Sequence, residues 1–176
     1  IIKMTNRIVI FSGKQFSGKD TLAKIMLEKM PTFRRFAMGD VIKDTFAKQK
    51  GITVAEVEAN KPLYRPELIK LGDWGRKQDP DYWLKKIVSQ DGDIFVTDVR
   101  KMHEYEVFKK AGAKSIRVEA PREIRAQRGK LVSENDSTET ELDNIKDWDF
   151  VVHNDSDYES LKVKALELVK ALTGQS

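Results

Sequence analysis

The amino-acid sequence predicts an α/β fold in which helices cover both faces of a parallel β-sheet. Apolar stretches of strand length alternate with segments of helical periodicity, and no linker, repeat or low-complexity segment interrupts them. The strand-like stretches span residues 7–11, 34–37, 94–98, 115–119 and 149–153. Strands that alternate with helices run parallel, because each helix carries the chain back across the sheet. At 176 residues, the chain is predicted to form a single domain, 1–176, with a sizeable core.

The first strand leads into a glycine-rich loop suited to binding a polyphosphate. Residues 8–11 are apolar, and Gly13 and Gly18 follow before Lys19 and Asp20. This order matches the motif G-x-x-x-x-G-K-[ST], except that Asp20 takes the Ser/Thr place. Glycines allow the backbone to approach an anion closely, and the loop N–H groups and the N-terminus of the next helix point at it. Lys19 adds a mobile positive charge, so we expect a phosphate-binding loop here.

Helical periodicity follows the loop and returns at the end of the chain. The first helix is predicted to end at Pro31, because proline cannot continue a helix. The last helix is predicted to pack through one apolar stripe and to end at Gly174. The stripe consists of Leu161, Ala165, Leu168 and Leu172.

The segment 71–83 is predicted to form a wall of an acceptor pocket. Arg76 lies ahead of a turn and a helix start, with aromatic side chains behind it. Tyr82 and Trp83 are expected mainly to pack, since large aromatic side chains usually serve the core. With Tyr64 they also offer faces on which a base could stack.

Asp98 ends an apolar strand, at the sheet edge where the glycine-rich loop also emerges. It could orient a Mg²⁺ ion beside bound phosphates, or it could cap the helix predicted to begin at Met102. Asp20 would repel a polyphosphate unless a metal ion or water lies between them, so it is also a candidate for Mg²⁺. Arg100 could bind a phosphate through two hydrogen bonds, or form a surface ion pair.

Two more arginines, Arg125 and Arg128, follow the fourth predicted strand. They are three positions apart, so a helical turn would present them on one face. They could close over a transferring phosphate, although the same spacing also marks solvated helix faces.

Composition narrows the range of partners. The net charge is +4, from 32 basic and 28 acidic residues. Because the basic residues are dispersed among the acidic ones, the charge pattern favours small phosphate-bearing molecules over nucleic acid as partners. The absence of cysteine excludes disulfides, thiolate zinc sites and thiol catalysis. No apolar segment is long enough to span a membrane and no secretory leader is visible, so we expect a cytoplasmic protein without a membrane partner.

Five motifs carry a family resemblance that covers most of the chain. They are FSGKxxSGKD at 11–20, LGxxxRxxDPDYW at 71–83, TDVR at 97–100, RxxRG at 125–129 and TELDN…WDFVVHN at 140–154. In this order they resemble phage-type deoxynucleoside monophosphate kinases and, equally closely, animal-type phosphomevalonate kinases. Both belong to the nucleoside-monophosphate-kinase-like group of P-loop proteins.

The resemblance implies a P-loop NTPase fold with a five-stranded parallel sheet, ATP as donor with Mg²⁺, and a monomer or homodimer. A helical acceptor-binding region is expected near 39–86 and a lid near 121–137. The implied ATP-binding residues are Gly13, Lys14, Gln15, Ser17, Gly18, Lys19, Asp20, Thr21 and Asn154. The implied catalytic residues are Lys19, Arg100, Arg125 and Arg128, and the metal residues are Asp20 and Asp98. The implied acceptor-binding residues are Asp40, Lys43, Arg65, Arg76 and Arg100.

The acceptor is the open question at this stage. Arg65 and the sequence QRG at 127–129 favour mevalonate 5-phosphate, whereas DPDYW at 79–83 and DVR at 98–100 suit many nucleotide kinases. The possible stacking faces favour a (deoxy)nucleoside monophosphate. A hydroxyl acceptor, as in dephospho-coenzyme A kinase, would benefit from a carboxylate base such as Asp40 or Asp98.

Two other classes of function stay open. A regulatory module that hydrolyses ATP slowly would need the loop but not the converging arginines. A kinase of nucleic-acid ends would need a long basic stripe, and the sequence does not contain one.

Overall fold

The computed structural model describes residues 7–174, and its strands form one five-stranded parallel sheet. The strands are β1 (Ile8–Gly13), β2 (Phe33–Phe36), β3 (Asp93–Val96), β4 (Lys114–Glu119) and β5 (Phe150–His153). Their order is β2-β3-β1-β4-β5, and every neighbouring pair is parallel. The predicted α/β class and all the predicted strands are therefore confirmed.

Helices connect the strands. They are α1 (Lys19–Lys29), α2 (Asp40–Lys50), α3 (Val54–Ala59), α4 (Lys61–Gln78), α5 (Tyr82–Val88), α6 (Met102–Lys110), α7 (Arg122–Arg128), α8 (Ser137–Thr140) and α9 (Tyr158–Thr173). Across residues 7–174, no helix combines the length and the apolar character that crossing a membrane requires.

The chain divides into two compact units. Among the described residues, the sheet unit comprises 7–36 and 92–174 and contains all the strands. The helical unit, Ala37–Asp91, contains α2 to α5. The predicted acceptor-binding region, 39–86, lies within the helical unit.

The core of the sheet unit forms where α1 and α9 pack on the sheet. Val9 and Phe11 of β1 project to the same face because side chains alternate along a strand, and both are buried in this core. Leu22 and Met26 of α1 pack in the same cluster. The predicted stripe of α9 is confirmed, since Leu161, Ala165 and Leu168 are buried there and Leu172 packs against them. Gly174 ends α9 with a φ of 70°, a left-handed conformation that glycine adopts without strain.

The helical unit is held by a small aromatic and aliphatic core. Phe46, Ala47 and Val57 are buried, and Tyr64 packs on Phe46 with ring centroids 5.3 Å apart. Trp83 is also buried, as predicted, and its indole Nε1 donates a hydrogen bond to the Gly72 carbonyl at 3.0 Å.

Candidate active site

The loop between β1 and α1 has a conformation that depends on its glycines. A Cβ at Gly13 would lie 2.4 Å from Ser17 Oγ and 2.8 Å from the Val118 carbonyl oxygen. Gly18 has a φ of 96°, and a Cβ there would lie 2.2 Å from Asn154 Nδ2. Phe16 also has a positive φ, of 60°. Neither glycine position therefore has room for a side chain, and the strained Phe16 must be held by neighbouring groups.

Side chains from the far end of the chain hold the loop by its carbonyl oxygens. Asn154, which follows β5 and is 7% exposed, donates from Nδ2 to the Ser17 carbonyl at 2.9 Å. The Arg128 guanidinium donates to the carbonyls of Phe16 at 3.0 Å and Asn154 at 2.7 Å. A guanidinium presents several donors in a fixed plane, so one side chain can bind several carbonyls. Arg128 and Asn154 thus brace the loop, and we call this pair the brace.

Arg125 makes a related contact from the buried side of α7. It is 7% exposed and donates from Nε to the Ala120 carbonyl at 3.1 Å and from NH1 to the Gln15 carbonyl at 3.4 Å. Both arginines expected over a transferring phosphate therefore bind loop carbonyls. The predicted lid, 121–137, contains the helix that carries them.

Lys19 begins α1 among several charges. Burial lowers the pKa of Lys19 below its usual value, and the Arg100 guanidinium lowers it further. Asp20, Asp98 and Glu139 are near enough to favour the charged amine, but they offset only part of this effect. An anion bound at the loop would relieve the same electrostatic cost, because it would neutralise both cations. The site is therefore suited to a ligand with several negative charges.

Asp98 does not cap α6. The N-cap residue of that helix is Lys101, and Glu104 accepts the backbone N–H groups of Arg100 at 3.0 Å and Lys101 at 2.9 Å. Asp98 also contributes to the electrostatic environment of Lys19, as Asp20 does.

The residues present fit a Mg²⁺ ion that arrives with a polyphosphate. Within residues 7–174, no group of three or more Asp, Glu, His or Cys side chains could hold a metal ion alone. Mg²⁺ prefers oxygen ligands and usually combines one or two carboxylates with substrate phosphates and water. Asp20 and Asp98, whose charges both act on Lys19, could supply carboxylate oxygens of that kind.

An acidic segment, which sequence reasoning passed over, covers the loop. The Gln15 backbone N–H donates to Glu139 Oε2 at 3.1 Å, and Lys14 Nζ donates to the Glu139 carbonyl and to Asp143 Oδ2, both at 3.0 Å. Asp143 also binds the buried Arg117, whose guanidinium donates to Ser12 Oγ at 2.8 Å. The TELDN motif at 140–144 begins directly after Glu139 and contains Asp143, but the spacing of its residues does not predict a contact with the loop.

Two cavities of the sheet unit meet at the loop. One, of about 420 Å³, is lined by residues 13–21 together with Arg100, Lys130, Val132 and Glu139. The other, of about 430 Å³, lies between Lys14, Ser17 and the ends of β4 and β5. Ser17 Oγ is buried at their shared wall and has no hydrogen-bond partner among the described residues. Every predicted ATP-binding residue of the loop, Thr21 included, lines the first cavity.

The helical unit contains a cavity of about 310 Å³ with cationic and aliphatic walls. Three predicted acceptor-binding residues, Lys43, Arg65 and Arg76, line it together with Ile42, Leu68, Ile69 and Asp73. Lys43 pairs with Glu58, and Arg76 NH1 lies 3.0 Å from Asp73 Oδ1. Arg100 lines the loop cavity instead, and the Asp40 carboxylate accepts the Ala37 N–H at 2.9 Å.

Comparison with known families agrees with this architecture. The phosphomevalonate kinase family model matches residues 11–114, and the deoxynucleotide monophosphate kinase family model matches residues 73–165. Each match covers more than half of the chain. This chain is a nucleoside-monophosphate-kinase-like P-loop kinase. The resemblance that its motifs predicted is confirmed.

Two relatives are similar to this P-loop kinase at about 30% identity. It is 30% identical to the uncharacterized protein ORF77 of Ictalurid herpesvirus 1 over 83% of its own length, and it spans 63% of that protein. It is 29% identical to a UPF0200 protein of Sulfurisphaera tokodaii, covering 94% of the chain and 97% of the relative. It is similar in fold to the Mycobacterium tuberculosis APS kinase CysC, with a TM-score of 0.56 and 14% identity over 97% of the chain and 99% of that structure.

Proposed function

We propose that this P-loop kinase transfers the γ-phosphoryl group of ATP to the phosphate group of a phosphorylated small molecule. One observation carries the proposal: a loop amide, Gln15 N–H, already holds an anionic oxygen at 3.1 Å, beside Lys19. A phosphate oxygen has the same hydrogen-bonding character as the carboxylate oxygen that lies there. The brace supports this role, because carbonyls held by Arg128 and Asn154 cannot turn toward an anion.

The chemistry requires no general base. A phosphate acceptor is already anionic, so the protein must position the two phosphates and neutralise their charge. Lys19 and Arg100 are the cations at the loop cavity suited to this task. When bound, Mg²⁺ would neutralise charge on phosphate oxygens and orient them.

The cavity of the helical unit favours an acceptor with an aliphatic body, and mevalonate 5-phosphate is the first candidate. The cationic side chains of the cavity suit phosphate and carboxylate groups, while Ile42, Leu68 and Ile69 suit a short carbon chain. None of the three aromatic residues considered for base stacking is among its lining residues. Tyr64 packs on Phe46, and Tyr82 packs edge-on against Trp74 and Trp83. The phosphomevalonate kinase family model also matches the whole of 37–91.

A (deoxy)nucleoside monophosphate is the second candidate. It is supported by the deoxynucleotide monophosphate kinase family match, which covers 73–165 and therefore includes Arg76, the predicted lid and the end of β5. This match begins inside α4 and leaves Lys43 and Arg65 outside.

An acceptor panel tests the proposal. ADP formation is measured with ATP and Mg²⁺ alone, with mevalonate 5-phosphate, with each nucleoside and deoxynucleoside monophosphate, and with unphosphorylated hydroxyl compounds including dephospho-coenzyme A. We expect turnover that depends on a phosphorylated acceptor and is greatest with mevalonate 5-phosphate. Turnover with hydroxyl compounds alone would contradict a phosphate acceptor. ADP formation that no acceptor stimulates would indicate a regulatory ATPase instead.

A further inference from the structure

The carboxylate of Glu139 is bound by the backbone of the glycine-rich loop. Its Oε2 accepts the Gln15 backbone N–H at 3.1 Å, and its charge acts on the Lys19 amine. Glu139 also lines the loop cavity, together with the residues of the loop and Arg100. An amide N–H and a lysine at the start of a helix are the partners expected of a bound phosphate. In this structure the Glu139 carboxylate accepts that N–H and acts on that lysine only through its charge.

The segment around Glu139, residues 130–143, is attached to the loop at several other points, and we call it the strap. The Gln15 side chain donates to the Val132 carbonyl and accepts the Val132 N–H at 3.1 Å. Lys14 Nζ binds the Glu139 carbonyl and the Asp143 carboxylate, both at 3.0 Å. These contacts fix the backbone on both sides of Glu139. The Glu139 side chain thus extends from a segment that contacts the loop on both sides of it.

We propose that Glu139 is an internal competitor of the phosphate groups of ATP. The proposal rests on the proposed function, because it takes the glycine-rich loop as the ATP phosphate site. One N–H cannot satisfy two anionic acceptors, and a phosphate beside Lys19 would repel a carboxylate held there. Nucleotide must therefore displace Glu139 before its phosphates engage the loop. We infer two states of the strap: in the closed state Glu139 holds the Gln15 N–H, and only the open state binds phosphate.

This competition makes a quantitative prediction. When only a fraction of the protein is competent to bind, the apparent affinity of every ligand that binds the competent state is reduced by the same factor. Glu139→Gln keeps the size of the side chain and removes its charge, so it should increase the open fraction. A hydrogen bond to a charged group has a free energy that corresponds to about tenfold in affinity. We therefore expect the Kd values of ATP and of inorganic triphosphate to fall by the same factor, about tenfold.

The strap supplies a matched control. Glu141 is two residues from Glu139, but its carboxylate accepts the Met102 N–H and faces Lys101 rather than the loop. Glu141→Gln removes the same charge from the same segment and should leave both Kd values unchanged. Adenosine, which has no phosphate, is the control ligand. Its affinity should be the same for the native chain and for Glu139→Gln.

The experiment is isothermal titration of the full chain, with thermal melting to verify the fold of each variant. The inference is supported if the Kd values of ATP and triphosphate fall by one common factor in Glu139→Gln and not in Glu141→Gln. Unchanged or weaker ATP binding by a folded Glu139→Gln variant overturns it, as does equal tightening in Glu141→Gln. If ATP binds as expected but no acceptor is phosphorylated, the proposed function fails while the competition stands. If neither the native chain nor Glu139→Gln binds ATP or triphosphate, both fail.

Discussion

The electrostatic environment of Lys19 indicates which kind of ligand the site can bind. Its amine is partly buried beside another cation, Arg100, and this arrangement lowers its pKa. Such a placement is unfavourable for the folded protein alone, because a buried charge loses solvation. It becomes favourable when an anion binds both cations. The electrostatic cost at Lys19 is thus consistent with a site organised around a polyphosphate.

Replacement of Lys19 by alanine should suppress phosphoryl transfer by roughly 10²–10³-fold, since a positioned charge at developing negative charge contributes about this much. The melting temperature should change little, because Lys19 belongs to no apolar core cluster of the described residues. Steady-state ADP formation and thermal melting are the measurements. Lys24→Ala, on an exposed position of α1, is the control and should retain full turnover. Full turnover of Lys19→Ala would remove the lysine from the mechanism.

ATP affinity should fall as pH rises through the pKa of Lys19 in the free protein. Bound phosphates favour the ammonium form, so the pKa of Lys19 rises on binding and a proton is taken up between the two pKa values. The charged neighbours are Arg100, Asp20, Asp98 and Glu139. Titrations in two buffers of different ionisation enthalpy measure this proton. Its persistence in Lys19→Ala would assign it to another group.

Helix α7 contacts the glycine-rich loop directly. The sequence had instead predicted that its arginines bind a transferring phosphate. Arg128 reaches two loop carbonyls and that of Asn154, at the end of β5. The loop itself contains two positive φ angles, at Phe16 and Gly18. A conformation of this kind persists only when surrounding contacts determine it. We infer that α7 and the end of β5 maintain the shape of the loop.

Arg128→Ala should weaken ATP binding by about tenfold or more, because it releases carbonyls that define the loop. Arg128→Lys should restore little of the ATP affinity, since an ammonium lacks the planar guanidinium that donates to several acceptors. Arg122→Ala is the control: it lies on the same helix, and its exposed pair with Glu134 contributes little. The measurement is the Kd of ATP. Equal Kd values for native protein and Arg128→Ala would show that the brace is dispensable.

Elements were predictable from the sequence where one local pattern determines them. The apolar run at residues 8–11 and the stripe of α9 each follow from burial alone, and the loop follows from its glycines and lysine. The contact between Glu139 and Gln15 was not predictable, because it joins residues 124 positions apart through a segment without regular periodicity. The partners of Arg125 and Arg128 were missed for a different reason. Spacing places them on one face but does not say whether that face meets a ligand or a backbone.

At the scale of the whole molecule, the candidate ligand sites are carried by separate units. The residues of the loop cavity belong to the sheet unit, and those of the cationic and aliphatic cavity belong to the helical unit. Each unit has its own buried core. Substitutions in one unit should therefore affect the binding of one ligand.

Arg76→Ala should raise the KM of the acceptor by about tenfold or more, as expected for a lost charge-assisted hydrogen bond. The Kd of ATP should stay unchanged. Arg65→Ala tests the same cavity from a residue that has no acidic partner among the described ion pairs. Lys77→Ala, an exposed change of charge in the same helix, is the control. Equal losses for ATP and acceptor would contradict the separation of the two sites.

The brace has a consequence for how the protein is made. Arg128 and Asn154 are synthesised more than a hundred residues after Ser17 and Gly18. The strand before the loop is central in the sheet and pairs with β3 and β4, which are synthesised after it. An incomplete nascent chain therefore carries the whole glycine motif without the groups that shape it. Nucleotide can therefore assist the folding of this loop only after Asn154 has been synthesised.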